Sequence, residues 1–155
     1  MAGYACIYWV DHLQASSHNM TSGLSKDDGS RIDVFLERKY LHWLEFLSIL
    51  GRVSHGIQSM QKLENLIQKE SELNGLLGQA QDAYKFIQYH RTGIESSPVQ
   101  VYYSSLLFSP SNSLTRGGFQ EEKAVWVLNH PVVMESWSPC LQTLEGHTGF
   151  VSGVA

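Results

Sequence analysis

Residues 23–30, GLSKDDGS, bring two glycines, a lysine and two serines together, the ingredients of a phosphate-binding loop. Such a loop needs its lysine directly after the last glycine, so that consecutive backbone N–H groups and the ammonium face one phosphate. Here Lys26 precedes Gly29 and two carboxylates intervene, so the chain alone is expected to bind no nucleotide. His12 and His18 lie six apart, on different sides of a helix, and nothing supplies further ligands, so a metal is not expected either. Asp33, Glu37 and Glu45 could serve as paired carboxylates for acid–base work. They alternate with Arg38, Lys39 and apolar positions, which is the polar margin of a packed helix. Neither a G-x-S-x-G elbow nor a His-Glu-x-x-His helix is present. Tyr40, Trp43, Tyr84, Tyr89, Tyr102 and Tyr103 could stack on bases, but no basic groove accompanies them, so they read as packing residues. Cys6 and Cys140 belong to no ligand pattern and read as reduced, structural thiols. The residues therefore predict no enzyme, no cofactor and no metal.

The elements that would carry these side chains are mostly helical. Tyr4, Ile7, Tyr8, Trp9 and Leu13 recur near a helical period over 1–15, and no capping residue precedes them. Residues 16–30 are polar, without period, and read as a flexible linker. From Ile32 to Leu50 the positions Ile32, Phe35, Leu36, Tyr40, Trp43, Leu44, Leu47 and Leu50 step by three and four, while Leu41, Phe46 and Ile49 make a second apolar face. A helix apolar on two sides has to be covered by neighbours, which places Trp43, Leu44 and Leu47 between helices. Gly51 is positioned to end it. Further helices are predicted over 53–69 and about 72–94, the latter with Tyr84 on its stripe. One more, holding Tyr102, opens at Ser97-Pro98 and closes at Ser109-Pro110, and a short one follows from 111–113, weakened by Gly117 and Gly118. Short connections make consecutive helices antiparallel neighbours. The predicted fold is all-α, stacked antiparallel helical hairpins over 31–122. After that the texture changes, and 123–155, rich in Val, Trp and Leu and broken by prolines, reads as a short, incomplete β tail.

Bulk properties fit one folded core. The chain has 155 residues, 43% of them hydrophobic, and a net charge of −4. Its basic residues are scattered, so neither nucleic acid nor an anionic membrane is an expected partner. No basic n-region precedes the first apolar stretch, and no run approaches the ~18 apolar residues of a membrane span, so a cytoplasmic location is expected.

The last sixteen residues, CLQTLEGHTGFVSGVA, carry the one specific motif. A strand ending in Gly146-His147, a turn at Thr148-Gly149 and a strand from Phe150 have the spacing that opens a WD40 blade. A blade needs about 40 residues and cannot close its sheet edges alone. Together with YACIYWVDHL, FLERKYLHWLEFLSILGRVSHGI and IQYHRTGIESSPVQVYYSSLLFSPSNSLTR, this ending resembles the connecting region of fungal NACHT and WD40-repeat proteins of the vegetative-incompatibility type. The resemblance implies a piece of a larger receptor. Residues 1–15 would be the last helix of an upstream domain, 31–122 a helical connector, and 123–155 the start of a propeller. It implies protein partners, either the remainder of the receptor or another protein, and self-association through exposed ends. The function it implies is non-catalytic, linking a nucleotide switch to a propeller sensor. The alternative is a free-standing helical module that binds a partner's helix or peptide in a groove.

Overall fold

A computed structural model of the chain describes residues 2–19, 24–122 and 131–138. Its elements are α1 (Ala2–Asn19), α2 (Lys26–Val34), a π-helical turn (Phe35–Lys39), α3 (Tyr40–Ile49), α4 (Val53–Gln68), a 3-10 turn (Ser71–Leu73), α5 (Asn74–Tyr89), α6 (Arg91–Ser96), a second π-helical turn (Val101–Ser105), α7 (Leu106–Phe108), α8 (Leu114–Gly118) and a 3-10 turn (Gln120–Glu122). The architecture is all-α, as the periodicity predicts, and the described residues contain no strand.

Helix α3 ends in a Schellman motif. Gly51 takes φ +64°, its N–H donates to Ser48 O, and the Arg52 N–H donates to Leu47 O at 2.8 Å. The chain is thereby folded back so that α4 returns along α3. Gly56 on α4 lets the two helices approach: a Cβ there would stand 2.5 Å from Leu47 Cδ1 and 2.9 Å from Ile87 Cδ1. Helix α5 then returns along α4, with Gln81 Nε2 donating to Glu64 Oε1 and Ile87, near the end of α5, beside Gly56, near the start of α4. That pairing is antiparallel.

The predicted single helix over 32–50 is two helices joined by a π turn. The extra residue in that turn rotates the following face. It brings Tyr40, Leu41, Trp43, Leu44 and Leu47 all into the core, whereas Ile49, on the second apolar face, stays 62% exposed. Of the stretch read as a linker, 16–30, residues 20–23 lie outside the described residues, and most of the rest is helical. Helix α1 runs on to Asn19, and α2 begins at Lys26 behind a capping box in which Ser25 and Asp28 each accept a hydrogen bond from the other's backbone N–H. The polar composition that suggested a loop is that of a capped helix start. Helix α1 shares the core with α3 and α4: Val10 is fully buried, and the Trp43 indole donates to Cys6 O at 2.8 Å. Its outer face leaves Tyr4 60% exposed.

The predicted helix over 72–94 breaks at His90, which leaves helical geometry at φ −96°, ψ 10° between α5 and α6. The expected β tail is not found among the described residues. Residues 131–138 form an irregular strap whose Met134 and Glu135 carbonyls accept from the Ser111 and Asn112 N–H groups at 3.0 and 3.1 Å. The strap pairs with a turn, which has no room for a ladder. Residues 123–130 and 139–155, the remainder of that expectation with Gly146 and His147, lie outside the described residues.

Candidate coupling site

Among the described residues, a dense polar arrangement is built on Asp82. This residue occupies the apolar stripe of α5 with Ala83, Phe86 and Ile87, and only 8% of it is exposed. A buried carboxylate is costly unless its oxygens are hydrogen-bonded. Asp82 meets that requirement from two directions. Oδ2 accepts from the Ser113 hydroxyl at 2.9 Å and from the Thr115 N–H at 2.8 Å, at the start of α8. Oδ1 accepts from the Trp137 indole N–H at 2.6 Å. One side chain of α5 thus holds both α8 and the strap.

The Trp137 ring packs against Tyr89, His90 and Phe86, with centroids 5.5, 6.0 and 6.4 Å away. A cavity of about 460 Å³ beside it is lined by Glu64, Gln81, Tyr84, Lys85 and Gln88. Ser113 has a second role, since its hydroxyl also accepts from Arg116 N at 3.2 Å and so caps α8.

Next to this junction, His90 Nε2 lies 2.9 Å from Ser109 Oγ, both buried. The pair has the composition of a base and a nucleophile, but its protons are committed elsewhere. The Ser109 hydroxyl donates to Ser105 O at 2.7 Å, so Nε2 has to be the donor toward Ser109. Burial pushes the imidazole down to about 4, which keeps it neutral. Arg116 reaches the Ser109 carbonyl. The pair fastens α5 to the end of α7.

Of the residues expected to be structural, Trp43, Leu44 and Leu47 are all in the core. Trp43 meets Phe35, Tyr40 and Trp9 ring to ring at 5.5, 6.0 and 6.3 Å. Tyr84 is half-buried and accepts from Gln88 Nε2 at 2.7 Å. Tyr102 donates to Glu45 Oε2 at 2.7 Å, and burial, reinforced by that hydrogen bond and by the Glu45 charge, raises its phenol above the usual range. These residues do not converge on one site. Asp82, His90 and Trp137, which do converge, were not singled out by sequence. The signal was present in the spacing: Asp82, Phe86 and Tyr89 to His90 fall four and seven to eight apart, which places an acid on an apolar stripe. Among the described residues no cluster of three or more His, Cys, Asp or Glu could hold a metal ion, and no helix is long and apolar enough to cross a membrane.

The chain is 39% identical over 155 residues to "Vegetative incompatibility protein HET-E-1" of Podospora anserina. The match takes in 98% of this chain and 11% of HET-E-1, so the chain spans about a ninth of the length of that relative. No protein-family model matches the chain, and no solved structure matches it significantly.

Proposed function

We propose that this chain is a non-catalytic connector of a NACHT and WD40-type signalling receptor, holding a propeller sensor relative to a nucleotide switch and passing movement between them. The observation that carries the reading is the Asp82 junction. One buried carboxylate binds two parts of the helical body to Trp137, three residues before the segment that resembles the opening of a propeller. A segment held in this way moves with α5 and α8 instead of swinging on a tether, which is what mechanical coupling requires. The likeness to a vegetative incompatibility protein along nearly all of the chain supports the same reading. Its partners are then protein, the remainder of the receptor, and its place is the cytoplasm.

Long-read sequencing of the transcript across this reading frame tests the proposal. The expected message runs from a phosphate-binding loop upstream, through this stretch, into Trp-Asp repeats downstream. A message that begins at Met1 and stops after Ala155 would remove the two modules a connector has to join, and the reading with them.

A further inference from the structure

A second cavity, of about 450 Å³, lies between the first π turn, α5 and α8. Its floor is apolar, formed by the buried Leu36, Ala83 and Phe119. Its margin carries acceptors without partners. Glu37, exposed on the π turn, lines the cavity and forms no ion pair among the described residues. Gln79 lines it too, and its Oε1 is buried and receives no hydrogen bond. Behind the wall made by Ser113 and Thr115 stands the Asp82 carboxylate, whose three donors are all neutral: a hydroxyl, a backbone N–H and an indole N–H. Buried charges are ordinarily offset by an opposite charge, and none of the described residues lining the cavity is a Lys, Arg or His. The Arg116 guanidinium on α8 is turned to the Ser109 carbonyl. Two carboxylates and an unmet amide oxygen therefore border one apolar-floored cavity that is short of positive charge and of hydrogen-bond donors.

We propose that this cavity is a binding site for a small organic cation, an ammonium group carried on an apolar body. The apolar body covers Leu36 and Phe119. The ammonium stands beside the Glu37 carboxylate and draws the Gln79 amide oxygen toward it, a rotation about a broad terminal torsion. Two glycines keep the α8 side open, since a Cβ at Gly117 would meet nothing within 4 Å and one at Gly118 only the Glu37 carbonyl oxygen, at 4.0 Å. A cation held there touches the π turn, α5 and α8 together. The site goes beyond the connector reading and does not depend on it.

The test is a titration of the full, isotope-labelled chain with phenethylamine, followed by heteronuclear NMR. Phenethyl alcohol and phenylacetate, which keep the ring and change the charge, are titrated in parallel. Saturable one-to-one binding of the amine is expected, with a dissociation constant of about 1 mM or tighter. The resonances that move should be the Gly117, Gly118 and Phe119 amides and the side-chain amide of Gln79. Phenylacetate should bind about tenfold or more weakly, since it sets like charges side by side. Glu37→Lys, at an exposed position, should weaken the amine about tenfold and leave the alcohol as it was, a difference that loss of structure does not produce. Gly118→Leu, whose side chain lies across the cavity, should remove binding of the amine and the alcohol alike. If Gly118→Leu loses its helical circular dichroism, the amine-against-alcohol comparison in Glu37→Lys decides alone. No saturable shift up to about 10 mM amine, beyond the scale of weak specific complexes, would overturn the site. Phenylacetate bound as tightly as the amine, or amine affinity unchanged in Glu37→Lys, would overturn its assignment to a cation.

Discussion

Asp82 and Trp137, 55 positions apart, are joined by a 2.6 Å hydrogen bond that ends a three-donor cluster on one buried carboxylate. Asp82→Asn keeps the shape of the side chain but turns one acceptor oxygen into an NH2 donor. At least one of the Ser113, Thr115 and Trp137 donors then faces another donor. The expected loss is about 1–3 kcal/mol, the cost of a buried polar group left unpaired. It would appear as a lower urea midpoint with an unchanged slope. A change below about 0.5 kcal/mol, the size typical of a surface substitution, would mean that the three donors find other acceptors.

Trp43 supports a different boundary, that between α1 and the rest of the body. It is 7% exposed, lies among Trp9, Phe35 and Tyr40, and its N–H satisfies the Cys6 carbonyl on α1. Trp43→Ala should cost about 3–5 kcal/mol, as emptying a large aromatic site does. Trp43→Phe keeps much of the volume and removes the hydrogen bond. Its expected signature is faster hydrogen exchange in α1 with little change in α4 and α5, read by mass spectrometry of the native chain. Equal loss across all three helices would show that α1 is not a separately loosened element.

What could be read from sequence follows from the range over which each determinant acts. Helix α4 begins at Val53, where a period of three and four starts directly after Gly51, because both signals are local. The π turn at 35–39 escaped the same analysis, since one inserted residue changes the phase without disturbing composition. Residues 24–30 misled for another reason. Gly29 resembles a loop residue, yet it sits in α2 because a Cβ there would come within 2.5 Å of Leu73 Cδ2, a contact set by a residue far along the chain. Asp82 and Trp137 are the extreme case. Each is one polar group or ring whose partner lies on another element, and no local pattern names that partner.

Close approach also separates two glycines that composition treats alike. Gly56→Ala places a methyl 2.5 Å from Leu47 Cδ1 and 2.9 Å from Ile87 Cδ1, both on fully buried side chains, so these have to shift within the core. Overpacking of this kind costs about 1–3 kcal/mol. Gly75→Ala, on the exposed side of α5, meets nothing within 4 Å and should gain up to about 1 kcal/mol from helix propensity. Thermal melts of the two variants should therefore move in opposite directions from the wild-type chain. A Gly56→Ala chain as stable as the parent would place α4 farther from α3 and α5 than the side-chain distances give.

His90 makes stability depend on pH with a definite sign. In the unfolded chain its imidazole titrates near 6.5, whereas burial among Phe86, Tyr89 and Trp137 pushes it down to about 4 in the fold. Between those two values the unfolded chain carries a proton that the folded chain does not, so acid favours unfolding. The contribution is complete above pH 6.5 and is lost as pH falls toward 4, at up to about 1.4 kcal/mol per pH unit. His90→Gln retains an amide able to donate to Ser109 and removes the titration. Urea midpoints measured from pH 7.5 down to pH 4 should fall more steeply for the wild-type chain than for His90→Gln, with the gap opening below about pH 6.5. Parallel curves would mean that the folded chain accepts the proton without cost, which requires His90 to turn away from Ser109 toward solvent.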